Sequence, residues 1–359
     1  MNNMKMLVSY LYCNQGGVTS VIKQRIPVLL QNDWVVDTVF SENNGGKADL
    51  LNHGVNKVEI LNSDFKKNVR NLIKKNHYDL HVIIDTPSLM SLQNEFPKTK
   101  TIFEIHSSII PTISKYPSDQ LASMSKIIVP SKWLKETLKN LFPKLNTEDI
   151  LVIPNIVNTH HFSPMGESFD LPPTLLWVGK FTEFKNWKEA AQIGQLFLTT
   201  NPGWKFLMVT GGQPNEQDVV ETLSIFITKD LINRFNWLHN LNQMEMGKLY
   251  RGAAKTGGFL LSTSKAESFC LVVHEAMRCG LPVVSSNVGP LPEIVEDGVS
   301  GFLYELGDIK TAVNNSNLYL NKELRDKIIS EGFNKLSSFD QSAIEEEYMK
   351  AINEVLENI

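Results

Sequence analysis

The chain has 359 residues, 42% hydrophobic and 21% charged, the balance of a soluble globular protein long enough for two domains. Its net charge of −4 argues against a general nucleic-acid binder. No run approaches the roughly 18 consecutive apolar residues of a membrane-spanning helix, and the three scattered cysteines, Cys13, Cys270 and Cys279, suit neither a disulfide framework nor a zinc cluster, so a reducing cytoplasm is the expected setting.

The opening stretch MNNMKMLVSYLYCN holds a short apolar run broken by Ser9 and Tyr10, with no small-residue cleavage site after it. It reads as a first strand rather than a signal peptide. Further strands are expected over 34–40, 80–85, 101–105, 126–129 and 150–153, after a first at 6–11. In the second half they fall at 174–178, 205–209, 235–238, 258–261, 282–285 and 301–304. Helical patterns such as 131–141, 188–197 and 243–252 separate most of them. This alternation predicts α/β architecture with parallel, doubly wound sheets. Twelve strands exceed one modest domain, and FSPMGESFDLPPT, residues 162–174, is the best linker. The expected division is a domain over 1–168, a second over 172–337, and a terminal helix over 338–359 that either caps the second domain or crosses back to the first. On that helix Ile344, Tyr348, Ile352 and Val355 share one face. The cleft between two such domains is the default site.

Charge is uneven along the chain. Residues 1–171 carry 18 Lys and Arg against 16 Asp and Glu, whereas residues 172–359 carry 17 against 23. The basic excess concentrates in FKKNVRNLIKK, residues 65–75, which as a helix is either a solvated surface or a dock for anionic lipid on Lys66, Lys67 and Arg70. The second reading would place the protein peripherally on the inner face of the plasma membrane.

Several motifs are missing. There is no Gly-x-Gly, no phosphate loop ending in Gly-Lys-Ser/Thr, and no Asp-x-Asp pair. No metal and no cofactor is expected. Three positive signals remain. Gly16 and Gly17 stand between the first strand and a helix, where they serve a tight turn or admit a phosphate at the helix start. Lys180 and Lys185 follow the strand at 174–178, outside its carboxyl end, where such folds bind ligands and where cations stabilise a leaving diphosphate. Glu267 and Glu275 lie in SKAESFCLVVHEAMRCG. Ser268 is a plausible N-cap for a helix over 269–279, and Glu275 would sit about two turns in, roughly 10 Å along the axis. Each carboxylate can accept hydrogen bonds from vicinal hydroxyls, or Glu267 could serve only the helix dipole.

Glu267-x7-Glu275 followed by EAMRCGLPVVSSNVGPLPEIVEDGVSGFLY closely resembles the retaining nucleotide-sugar glycosyltransferases of family 4, which have the GT-B fold: two Rossmann-like domains facing a central cleft. NQGGVTS, EIHSS, VPSKWLKETL, VIPNIVNTHHFSP, WVGKF and NWLHNLNQMEMGKLYRGA fall in the order that family uses. The resemblance implies that Glu275 holds the ribose and Glu267 the donor sugar, beside Ser268 and the amides of Phe269 and Cys270. The amides of Leu271 and Val272, with Lys180 and Lys185, would bind the diphosphate. Gly16 and Gly17 would contact phosphate or sugar, His106 would lie at the anomeric carbon, and backbone near Trp237 and Leu238 would meet the base. His106, Lys180, Lys185 and Glu267 are thus the expected catalytic set.

Two departures stand out. The family has Glu-Gly-Phe-Gly where this chain has Glu267-Ser268-Phe269-Cys270, and it often has arginine where Lys180 stands, whose lysine lacks the bidentate fork. The implied reaction is transfer of a hexose or N-acetylhexosamine from a nucleoside diphosphate, UDP by family preference, to an acceptor hydroxyl. Retention would follow from front-face substitution rather than the covalent route of two-carboxylate glycosidases. The acceptor would be a glycan, a lipid-linked alcohol or a small molecule, in glycan, glycolipid, cell-wall or natural-product synthesis. Competing readings are a nucleotide-sugar epimerase on the same fold and a non-catalytic partner subunit.

Overall fold

The computed structural model describes residues 4–14, 16–212, 215–227 and 230–357. The chain divides into two units, Met1–Ile156 with Gln341–Ile359, and Val157–Asp340.

The first unit is built on β1 (Met4–Asn14), β2 (Trp34–Asn44), β3 (Lys57–Ile60), β4 (Leu80–Ile84), β5 (Lys100–Glu104), β6 (Lys126–Val129) and β7 (Ile150–Val152). They form one parallel sheet in the order β3-β2-β1-β4-β5-β6-β7. Helices cover both faces of such a sheet, so its central strands read as unbroken apolar runs: Met6, Leu7 and Val8 in β1, and Val82, Ile83 and Ile84 in β4, are all buried. Strand β3 was not expected from the sequence. Its KVEI is a four-residue edge strand in which Val58 alone is fully buried, too short and too mixed to signal itself. Strand order reverses between β1 and β4, and a ligand crevice opens at the carboxyl ends of strands at such a point.

The second unit carries β8 (Thr174–Val178), β9 (Lys205–Thr210), β10 (Phe235–His239), β11 (Phe259–Ser262), β12 (Val283–Ser286) and β13 (Phe302–Tyr304), in the parallel order β10-β9-β8-β11-β12-β13. Side chains alternate across it. Leu175 and Trp177 pack with Phe197, Phe206 and Phe259 on one face, and Leu176 packs with Leu249 and Val273 on the other. Here the order reverses between β8 and β11, the strands that precede the Lys180–Lys185 and Glu267 loops.

The boundary lies at Ile156, upstream of the Pro- and Gly-rich stretch. Arg251 explains this. Its guanidinium donates to the carbonyls of His161 at 2.9 Å, Ser163 at 3.2 Å and Glu167 at 2.7 Å, tying residues 161–167 to the second unit. The Pro- and Gly-rich composition marks irregular backbone there, but the backbone is held, not free. The terminal helix, Gln341–Glu357, belongs to the first unit and buries Ile344, Tyr348, Ile352 and Val355.

The basic segment forms the helix Phe65–Asn76 with Val69, Leu72 and Ile73 inward. Its Arg70 is committed to Glu95 through two hydrogen bonds of 2.6 and 2.8 Å. Cys13, Cys270 and Cys279 are buried free thiols. Among the described residues no helix is long and apolar enough to cross a membrane.

Candidate active site

In the second unit, the loop after β8 and the loop after β11 are stitched together. Thr263 accepts from the Trp177 indole at 3.1 Å and its hydroxyl lies 2.9 Å from the Lys185 carbonyl. The Lys265 amide donates to the Phe184 carbonyl at 2.7 Å. This fixes Lys185 against Glu267: Nζ donates to Oε1 at 2.5 Å, and Ser264 Oγ donates to the same oxygen at 2.6 Å. Oε1 is therefore doubly engaged, and Oε2 carries the remaining capacity to accept from a ligand hydroxyl. Burial first, and the neighbouring Glu267 carboxylate second, push the Cys270 thiol up to about 12. Burial works against the Lys185 charge, yet the Glu267 carboxylate outweighs it and raises the lysine pKa. Lys180 has an exposed side chain, but partial desolvation of its ammonium and the like charge of Lys185 lower its pKa. A phosphate beside them would relieve that repulsion.

Gly289 locks the far side of the loop. Its φ is +55°, and a Cβ there would meet the Glu267 carbonyl oxygen at 2.7 Å, so only glycine fits without displacing Glu267.

The helix expected over 269–279 with Ser268 as N-cap is instead Leu271–Arg278, and its N-cap position is Cys270 at φ 64°. Phe269 is the reason. Its ring stacks on His274 at 4.3 Å and 9°, a staple from the residue before the cap to the fourth residue of the helix, and the chain turns left-handed at Cys270 to allow it. The later start leaves Leu271 and Val272 at the helix head, where N–H groups lack intrahelical acceptors. It also puts Glu275 about one turn in, roughly 6 Å along the axis, not two turns.

Glu275 does not join Glu267. Its Oε2 lies 3.3 Å from the Tyr250 hydroxyl, and its apolar surroundings push the carboxyl up to about 8. A neutral carboxyl here can exchange its proton for ligand hydroxyls. On β10 the Trp237 ring stacks on Phe181 at 4.7 Å and its N–H donates to Thr210, so the indole is occupied within the protein, while Leu238 is 36% exposed.

In the first unit, Gly16 and Gly17 head the helix Gly17–Gln31 after β1. A Cβ on Gly17 would meet nothing within 4 Å, and no positive φ demands glycine. Packing does not explain it, which leaves room for a ligand. His106 follows β5. Its amide and that of Ser107 donate to Asp85 Oδ1 at 3.0 and 3.1 Å, and its Nε2 lies 2.9 Å from Glu104 Oε2. Asp85, Arg25, Glu104, Ser264 and Tyr250 were not singled out in the sequence. The nearest signal is the Asp85 position at the end of an apolar strand; the others show themselves only through the side chains they meet.

Residues 165–335 match the family model described as Glycosyl transferases group 1. An uncharacterized glycosyltransferase of Haemophilus influenzae is 26% identical over 290 residues, 74% of this chain and 76% of that protein. A sucrose synthase of Solanum tuberosum is 28% identical over 179 residues, which are 46% of this chain but only 22% of that enzyme. Among solved structures, HepE of Anabaena in complex with UDP and glucose superposes with TM-score 0.80 at 18% identity, covering 98% of this chain and 100% of that one. A glycosyltransferase of Rickettsia africae gives 0.83 at 17%, covering 100% of both. The likeness to these structures shows the GT-B fold, here with parallel sheets of seven and six strands.

Proposed function

From the match of residues 165–335 to the group 1 glycosyl transferases, we propose that this chain moves a hexose or N-acetylhexosamine from a UDP-sugar to an acceptor hydroxyl, with retention at the anomeric carbon. The observation that carries the reading is the Lys185–Glu267–Ser264 lock beside the head of the helix Leu271–Arg278. It sets a cation, an accepting carboxylate oxygen and helix-start amides at one place, a combination suited to a sugar diphosphate. HepE, of the same fold, was also solved with UDP-glucose, which favours UDP among the candidate nucleotides.

In this proposal Lys180, Lys185 and the amides of Leu271 and Val272 hold the diphosphate. Glu267 Oε2 takes a hydroxyl of the donor sugar, Glu275 takes the ribose, Gly16 and Gly17 meet phosphate or sugar, and His106 acts at the donor sugar. The bond from the anomeric carbon to the diphosphate oxygen breaks, and a bond to the acceptor oxygen forms on the same face. The acceptor proton passes to the departing phosphate oxygen. Lys185 and Lys180 stabilise the charge that develops there. The acceptor is a hydroxyl of a glycan, a lipid-linked alcohol or a small molecule.

A panel of UDP-, GDP-, ADP- and TDP-sugars, each incubated with the protein and assayed for nucleotide release, tests the reading. A UDP-sugar should release UDP. Release confined to another nucleotide would overturn the donor assignment, and recovery of the donor as its epimer with no release would favour the epimerase. Absence of release together with absence of nucleotide binding by calorimetry would favour a non-catalytic subunit.

A further inference from the structure

The first unit buries a charged cluster behind His106. Glu104, at the end of β5, is 0% exposed and Arg25 is 4% exposed. Arg25 Nη1 pairs with Glu104 Oε2, the same oxygen that His106 Nε2 approaches at 2.9 Å. Tyr348, on the last helix and 244 residues away, donates its hydroxyl to Glu104 Oε1 at 3.3 Å. The Tyr348 ring also covers the Arg25 guanidinium, 4.2 Å from ring centroid to Cζ. Taking an ion pair out of water is costly, and an apolar cluster of the same volume often stabilises a fold more. What this cluster does provide is a fixed acceptor for one imidazole nitrogen. Burial works against the Glu104 charge, but Arg25 and then His106 outweigh it and hold the carboxyl at about 2. An ionised carboxylate accepts and cannot donate, so the proton between the two groups belongs to His106 Nε2. Asp85 holds the His106 backbone at the same time.

We propose that Arg25 and Tyr348 are positioning residues that act through Glu104 to hold the His106 imidazole in one orientation with its proton on Nε2. The last helix thereby serves the reaction as well as the fold. The inference rests on the reading of His106 as a group that acts on the donor sugar, but its primary test needs no donor.

Long-range proton–nitrogen spectra of the full chain labelled with 15N-histidine report the tautomer of each imidazole, and an H106N variant identifies the His106 signals. Wild type should show His106 as a single Nε2–H tautomer. Y348F removes one hydroxyl and leaves the ring over Arg25, so it should fold, yet its His106 should become a mixture of tautomers. R25M should widen the mixture, and R25K, which keeps the charge, should restore much of the wild-type pattern. With UDP-glucose as probe, UDP release by Y348F and R25M should fall about tenfold in kcat with KM within about twofold of wild type. An unchanged His106 spectrum in Y348F, with R25M either unchanged or unfolded, overturns the proposal. A spectrum that shifts as expected while H106N releases UDP at the wild-type rate upholds the positioning and removes only the role of His106 at the donor.

Discussion

Lys185 Nζ and Glu267 Oε1 lie 2.5 Å apart although 82 residues separate them in the chain. The pair joins the loop after β8 to the loop after β11, at the point where the strand order of the second sheet reverses. In the proposed reaction the same lysine has two tasks: to hold Glu267, and to supply positive charge to the leaving diphosphate. Lys185→Ala should therefore lower kcat for UDP release by about 10²-fold or more, the usual consequence of deleting a donor aimed at developing charge. Lys185→Arg should recover part of it. Steady-state rates of UDP release check this, and a wild-type kcat in Lys185→Ala would remove Lys185 from the reaction.

Glu275 gives a pH signature. Its carboxyl is raised from an ordinary value near 4.5 to about 8, so between those values the native state holds a proton that the unfolded chain has lost. Its contribution to stability is thus full below about 4.5 and is lost as pH rises through about 8. Glu275→Gln cannot titrate and should flatten this part of the profile, with its greatest relative stability above about pH 8. Urea unfolding of both proteins from pH 5 to 9 measures the difference curve.

Two glycines should behave in opposite ways. Gly17→Ala meets no neighbour and needs no unusual φ, so it should leave stability unchanged or raise it by about 0.5 kcal/mol. If the space above Gly17 belongs to a ligand, the same change lowers turnover. Gly289→Ala faces both φ +55° and the Glu267 carbonyl at 2.7 Å, and should cost about 2 kcal/mol or more. Denaturation curves with parallel assays of UDP release separate the two cases.

Cys270 stands at φ 64°, a conformation that disfavours a side chain. Cys270→Gly should be more stable than Cys270→Ala by about 1 kcal/mol, because both lose the thiol and only glycine sheds the strain. Equal stability of the two variants would mean that the backbone at 270 relaxes. The same pair, assayed across UDP-sugars, tells whether bulk at this position narrows donor choice.

Much of this was legible in the residues. Twelve strands were marked because a parallel sheet buries both faces, and runs such as LLWV and FLLS show that directly. Lys180, Lys185 and Glu267 are legible as charges in loops just outside the carboxyl ends of strands, and Glu275 as an acid inside an apolar helical run. The helix start at Leu271 was not legible, since it depends on Phe269 reaching His274 through space. Ser264 was hidden as an ordinary loop serine until its bond to Glu267 could be seen. Arg25 and Tyr348 looked like residues of amphipathic helices, and only the fold shows that both converge on Glu104.

The head of the helix Leu271–Arg278, with Glu275 one turn below it, is the proposed nucleotide site, and Glu267 is the proposed ligand of the donor sugar. Titration calorimetry of UDP into wild-type protein and into Glu275→Ala tests it most directly. Wild type should bind measurably and the variant at least about tenfold more weakly, with both proteins folded. Equal affinity in the two, or no binding of UDP to wild type, would contradict it.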